Sequence, residues 1–264
     1  MRVRGHGTSG PLVVLLHGGP GAPGYLAPVA RELADSFRIL EPFQRGSSGE
    51  PLTVARHVED LHELVRRRPD ARPALVGHSW GAMLALAYAA AHPGFATSIV
   101  LIGCGTFDRA ARDRLRAVRE ERMDGPLRRR LERLSVEFPD PDERLGVMGD
   151  LLLPLYSCDP EAGGLGVEGC DARAYQETWA DMLRLQAAGV YPAAFAAIDA
   201  PVIMLHGALD PHPGRLIRAS LAPHLPALEY HEWERCGHYP WLERGVRDDF
   251  YSVLRRRLEE GEHG

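Results

Sequence analysis

The sequence predicts an α/β fold: a mostly parallel central sheet covered by helices on both faces. Three observations predict it. Short, almost wholly apolar runs recur along the chain, segments of helical period separate them, and several runs end in Gly-rich or His-containing loops. Apolar runs without polar alternation belong to strands buried on both faces. The chain has 264 residues, enough for one large domain with an insertion. An apolar fraction of 45% with 25% charged residues is that of a globular protein and argues against disorder.

The elements follow in order. At most one weak strand precedes residue 12. Residues 11–16 form a buried strand closed by the tight loop His17-Gly18-Gly19-Pro20-Gly21. A second strand covers 37–43. Thr53 caps a helix through residue 65, with Val54, Val58, Leu61 and Val65 on one face and Pro69 past its end. Residues 74–76 make a third strand, 82–91 a compact helix that stops before Pro93, and 98–102 a fourth strand. Residues 201–205 and 228–233 supply two more strands, and 246–258 a closing amphipathic helix. The stretch 106–188 breaks this rhythm. It carries Leu115, Val118, Leu127, Leu131 and Leu134 at helical spacing among many charges, a Gly-rich segment at 161–169 and a further helix at 175–186. The expected organisation is a core of residues 1–105 and 189–264 with a helical cap, 106–188, inserted into it.

Composition excludes several functions. A net charge of −5 does not suit a nucleic-acid binder. Every basic residue is arginine, which rules out a Schiff-base lysine and a Walker A loop. Cys104, Cys158, Cys170 and Cys236 form no C-x-x-C pair, so a zinc ribbon or redox motif is not expected. The first residues lack the apolar stretch of a signal peptide, and no run approaches a membrane span. A cytoplasmic protein that does not engage membranes is the expectation. The pattern G-x-G-x-x-G at residues 5–10 precedes a strand instead of following one, and is expected to be a flexible turn. The arginine runs at 66–68, 128–130 and 255–257 fit solvated helix faces.

The chemistry centres on Gly77-His78-Ser79-Trp80-Gly81, which satisfies G-x-S-x-G between a strand and a helix. On so sharp a turn the serine hydroxyl stands above the sheet, and the glycines let strand and helix approach without a Cβ clash. Serine alone is a weak nucleophile and needs a base. Asp210 follows a strand in Leu205-His206-Gly207-Ala208-Leu209-Asp210, and His238 follows the next in Cys236-Gly237-His238-Tyr239. Ser79, Asp210 and His238 thus occur in the order of a nucleophile–acid–base triad. Asp108 is an alternative acid, and both Asp210 before Pro211 and His238 also suit ordinary turns. Donors for an oxyanion are expected from the amide of Trp80 and from the 17–21 loop, with Gly19 first and Gly18 next.

Residues 17–21, 77–81 and 237–241 together resemble the α/β-hydrolase superfamily, and within it the proline iminopeptidase branch. The resemblance implies an α/β-hydrolase fold and a serine hydrolase that uses no metal and no organic cofactor. Where that branch carries Asp-Gln-Arg-Gly, this chain has Phe43-Gln44-Arg45-Gly46, with Glu41 nearby. The branch holds its substrate's free amine with cap glutamates. Glu177 and Asp181, near Trp179, are candidates here or are solvent-facing helix charges, and no residue is carried over for that role. The expected partner is a small-molecule or short-peptide substrate. Apolar Leu151-Leu152-Leu153 could line the pocket or a homo-oligomer surface. An esterase or amidase, an aminopeptidase, and a non-catalytic ligand receptor on the same fold are the functions to separate.

Overall fold

The computed structural model describes residues 1–68 and 72–261, so Pro69 lies outside the described residues. Its sheet has seven strands: β1 (Arg2–His6), β2 (Leu12–Leu16), β3 (Arg38–Phe43), β4 (Ala74–His78), β5 (Ile99–Ile102), β6 (Val202–Gly207) and β7 (Glu229–Trp233). They lie in the order β1-β3-β2-β4-β5-β6-β7, with β1 antiparallel to β3 and every other pair parallel. From β2 the chain moves to one side of the sheet and then returns to the other, so the strand order reverses between β2 and β4. Such a switch point opens a crevice at the carboxyl ends of the strands. The register puts those ends level, with Leu16 opposite Gly77 and His78 opposite Ile102.

All five residues of β2, and all five of β4, are buried. Alternate side chains enter two separate apolar layers. Val13, Leu15, Val76 and Val100 pack against α1 (Ala27–Leu33) and α9 (Arg247–Glu260). Val14, Leu16, Leu75 and Leu101 pack against α2 (Val54–Arg66), α3 (Trp80–Ala91) and α8 (Gly214–Leu221). Thr53 caps α2 as expected, its side chain accepting the Arg56 amide. Helix α3 starts two residues earlier than the sequence pattern suggests, directly after Ser79, and is apolar on all sides because it is buried on all sides.

Between β5 and β6 run α4 (Arg109–Arg122), α5 (Gly125–Glu137), α6 (Pro141–Leu152) and α7 (Ala172–Ala187). Asp108, Asp124, Asp140 and Asp171 cap the four in turn, each accepting a first-turn amide. Sequence periodicity alone does not reveal α1, α6 or α8; α1 and α8 are short, and α6 has no fully buried residue. The G-x-G-x-x-G segment is part strand, since Gly5 and His6 pair with Leu40 and Ile39, and part turn, with positive φ at Gly7 and Gly10. Arg128 pairs with Glu120 on an exposed face, as expected, whereas Arg255 and Arg257 are half-buried and pair across elements with Asp35 and Glu229. No described helix is long and apolar enough to cross a membrane.

Candidate active site

Ser79 occupies the junction of β4 and α3 with φ 54° and ψ −115°, the one non-glycine residue of positive φ among the described residues. A side chain held there costs on the order of 1–3 kcal/mol, so the surroundings must enforce it. Two features do. The Ser79 amide donates to the Ile102 carbonyl at 2.9 Å, tying the turn to β5. Gly81 lies so close to β2 that a Cβ on it would stand 2.1 Å from the Leu16 carbonyl oxygen, and a Cβ on Gly77 would stand 2.2 Å from that of Gly81.

Trp80 is buried and its indole N–H donates to Gln44 Oε1 at 2.7 Å. Gln44 in turn grips His17: its Nε2 donates to the His17 carbonyl and its backbone amide to His17 Nε2. His17 therefore carries its proton on Nδ1, which donates to the Gly18 carbonyl at 3.0 Å. Burial lowers His17 to about 4, so it stays neutral. A second chain crosses the site. The Gly18 amide donates to the Tyr25 hydroxyl, which donates to His78 Nδ1, both at 2.6 Å, and His78 Nε2 donates to the His238 carbonyl at 3.0 Å. Burial holds His78 well below the usual histidine range, and the neutral ring suits this relay. The Gly18 amide is thus engaged. Gly19 lines the cavity instead, while the Trp80 amide begins α3, where N–H groups have no intrahelical acceptor.

Asp210 follows β6 and His238 follows β7, both buried. His238 Nδ1 donates to Asp210 Oδ2 at 2.6 Å. Burial opposes the charge on Asp210, but His238, His212 and His206 around it outweigh that and hold the carboxyl well below its usual range. Burial lowers His238 below the ordinary histidine value despite the raising influence of Asp210. The His238 amide donates to the Tyr156 carbonyl at 2.7 Å. Buried Glu243 accepts from the amides of Gly237, Cys158 and Asp159 at 2.9, 2.8 and 2.6 Å, stapling the histidine loop to the segment after α6. Ser79, Gly19 and His238 share one cavity of about 210 Å³. Its walls include Leu145, Met148, Leu152 and Leu153, with Tyr175 and Trp179 from α7.

Residues 13–248 match the model of the alpha/beta hydrolase family. The chain belongs to that family. Among curated relatives, this α/β-hydrolase is 32% identical over 100 residues to a probable aminopeptidase, YbaC, of Bacillus subtilis, covering 33% of this chain and 31% of that protein. It is 38% identical over 100 residues to a proline iminopeptidase of Arabidopsis thaliana, covering 34% and 26%. The matches thus span about a third or less of these relatives' length. Among solved structures, an esterase from Thermogutta terrifontis superposes with a TM-score of 0.65 at 20% identity, covering 98% of this chain and 93% of that one. An esterase from Exiguobacterium antarcticum does so with 0.68 at 16%, covering 97% and 94%. These two likenesses show the fold.

Several sequence-level candidates have other duties in this α/β-hydrolase. Asp108 accepts the Ala111 amide at 2.8 Å as the cap of α4 and is not the acid beside His238. Glu177 and Asp181 accept the amides of Leu52 and Val54, each at 2.8 Å, and so fasten α7 to the start of α2. Their other oxygens take Arg173 and Arg184. Glu41 does not stand in for the missing acid at residue 43: it lies against Arg4 and His6 of β1, while Arg45 pairs with Asp60. Leu152 and Leu153 face the cavity. Asp210, His212 and His238 offer three atoms that could hold a metal, all within 4.8 Å of one another. In this arrangement both rings instead direct Nδ1–H at the carboxylate. Tyr25, Gln44, His212 and Glu243 were not legible as site residues, because each acts through partners distant in sequence or through an ordinary-looking turn.

Proposed function

We propose that this protein is a serine hydrolase that cleaves a small ester or amide through an acyl-enzyme on Ser79. One observation carries the reading: a neutral, carboxylate-bound histidine opens onto the same cavity as a serine held on a strained turn. His238 Nε2 would take the Ser79 Oγ proton as the oxygen attacks the carbonyl carbon. The amides of Gly19 and Trp80 would receive the oxyanion. His238 then returns the proton to the leaving oxygen or nitrogen, and water repeats the cycle on the acyl-enzyme. Asp210 keeps the imidazole in the Nδ1–H tautomer and stabilises its cation. The apolar walls suit an apolar group on the substrate.

An aminopeptidase is the second reading, favoured by the curated relatives. Among the described residues that line the cavity, only Asp150 offers a carboxylate for a free amine, and it is exposed on α6. If the substrate carries a free amine, a proline anilide is cleaved faster than its N-acetyl form and Asp150→Asn removes the preference. Equal rates on both, unchanged in the variant, sink that reading. The hydrolase reading itself is tested by intact mass after fluorophosphonate treatment. One adduct on the wild type and none on Ser79→Ala supports it. No adduct on folded wild type shifts the assignment to a non-catalytic ligand receptor.

A further inference from the structure

Asp210 holds two histidines, one on each oxygen. Oδ2 accepts from His238 at 2.6 Å. Oδ1 accepts twice from a single residue, the His212 backbone amide at 2.8 Å and His212 Nδ1 at 3.0 Å. An ionised carboxylate only accepts, so the His212 ring must carry its proton on Nδ1. The two imidazoles lie side by side, centroids 4.6 Å apart and 21° from parallel. His206 completes the enclosure: its Nε2–H donates to the His212 carbonyl at 2.8 Å and stands 3.4 Å from Oδ2.

We infer that His212 is a positioning residue for the reaction, fixing the rotation of the Asp210 carboxylate and thereby the direction of the His238 ring. The carboxyl torsion of an aspartate is broad and roughly two-fold, so one hydrogen bond to His238 would not define it. The paired donors of His212 grip the opposite oxygen and remove that freedom. The local sequence prepares them. In Asp210-Pro211-His212-Pro213 the prolines fix φ on either side, and the residue before a proline is confined to extended backbone. The His212 amide and ring are thereby presented to Asp210 with little chain entropy left to lose. This inference rests on the serine-hydrolase reading.

Two variants separate positioning from packing. His212→Phe keeps a flat ring to stack on His238 but has no ring donor. His212→Asn loses the ring but keeps an N–H near the place of Nδ1. Positioning predicts that Phe lowers kcat by up to about 100-fold with KM little changed, and that Asn recovers most of it. The reverse order, or wild-type kcat in both, overturns the inference. If the Phe variant does not fold, His212→Ala replaces it, expected slow where Asn is fast; equal rates in Ala and Asn overturn it as well. The downfield proton resonance of His238 Nδ1–H is a readout independent of turnover, expected to persist in Asn and to broaden or move in Phe or Ala. An unmoved resonance in every variant also overturns it. A wild type that forms no fluorophosphonate adduct refutes the hydrolase reading, while this resonance still decides whether His212 orients the pair.

Discussion

Helix α3, which follows the cavity-lining Ser79, and helix α6, which walls the cavity, are built in opposite ways. Ten of the twelve residues of α3 are buried, whereas none of α6 is fully buried. The first helix begins directly after Ser79, and its position is over-determined by the sheet, by Gly77 and Gly81, and by the apolar layer it shares with α2 and α8. The second offers Leu145, Met148 and Leu152 to the cavity, touches α5 and α7, and exposes Pro141, Asp142, Glu143 and Asp150 to solvent. Strain and orientation can be held only by close-packed surroundings. One wall of the cavity rests on the loosely packed element, where side chains can change at small cost to the fold.

That contrast can be broken by substitutions on either side of it. Ser79→Ala should lower kcat by roughly 10⁴- to 10⁶-fold while leaving the thermal midpoint unchanged; measurable turnover near the wild-type rate would remove Ser79 from the chemistry. Gly81→Ala should cost more than about 4 kcal/mol, read as lost soluble expression or a large fall in Tm, because its methyl meets the backbone of β2 and not a flexible side chain. A near-normal melt would show that the elbow tolerates separation from β2.

The acid limb of kcat/KM sharpens the electrostatic side of the comparison. The base must be neutral, and burial lowers His238, so protonation requires a pH below the ordinary histidine value of 6.5. Activity should therefore hold as pH falls to about 6.5 and decline about tenfold per unit only beneath the lowered pKa. A limb centred above 6.5 would mean that Asp210 outweighs burial. The smallest effect is expected in α6. Leu152→Ala should change stability by less than about 1 kcal/mol yet raise KM for apolar esters several-fold, with about 1–3 kcal/mol available for lost contacts in an apolar pocket. A large drop in Tm with unchanged KM would make α6 a packing element and not a specificity wall.

The buried parts of this chain were the legible parts. The strands read at 11–16, 74–76 and 98–102 announce themselves because strands covered on both faces leave little room for polar residues, and they fall within one or two residues of β2, β4 and β5. The loop at 17–21, the elbow at 77–81, Asp210 and His238 stand out because turn chemistry and catalytic chemistry demand particular residue types. Edge strand β7 was legible at 228–233 although Trp233 is its only buried residue, whereas helices α1, α6 and α8 carry weaker patterns, since one exposed face or a short length dilutes periodicity. Glu177 and Asp181 show the opposite failure. Near Trp179 they suggested ligand contacts, yet their partners are the amides of Leu52 and Val54, more than a hundred residues away.

By itself the sequence determined the class of fold, the strand-to-helix elbow and the identity of the nucleophile, acid and base candidates, because local sterics and binary pattern are written residue by residue. Only the tertiary structure decided which carboxylate meets His238, which loop amides are already engaged, and that one aspartate serves two histidines. Those outcomes depend on hydrogen-bond satisfaction among buried groups brought together from separate strands, and every such group must find its partner across the fold, not along the chain.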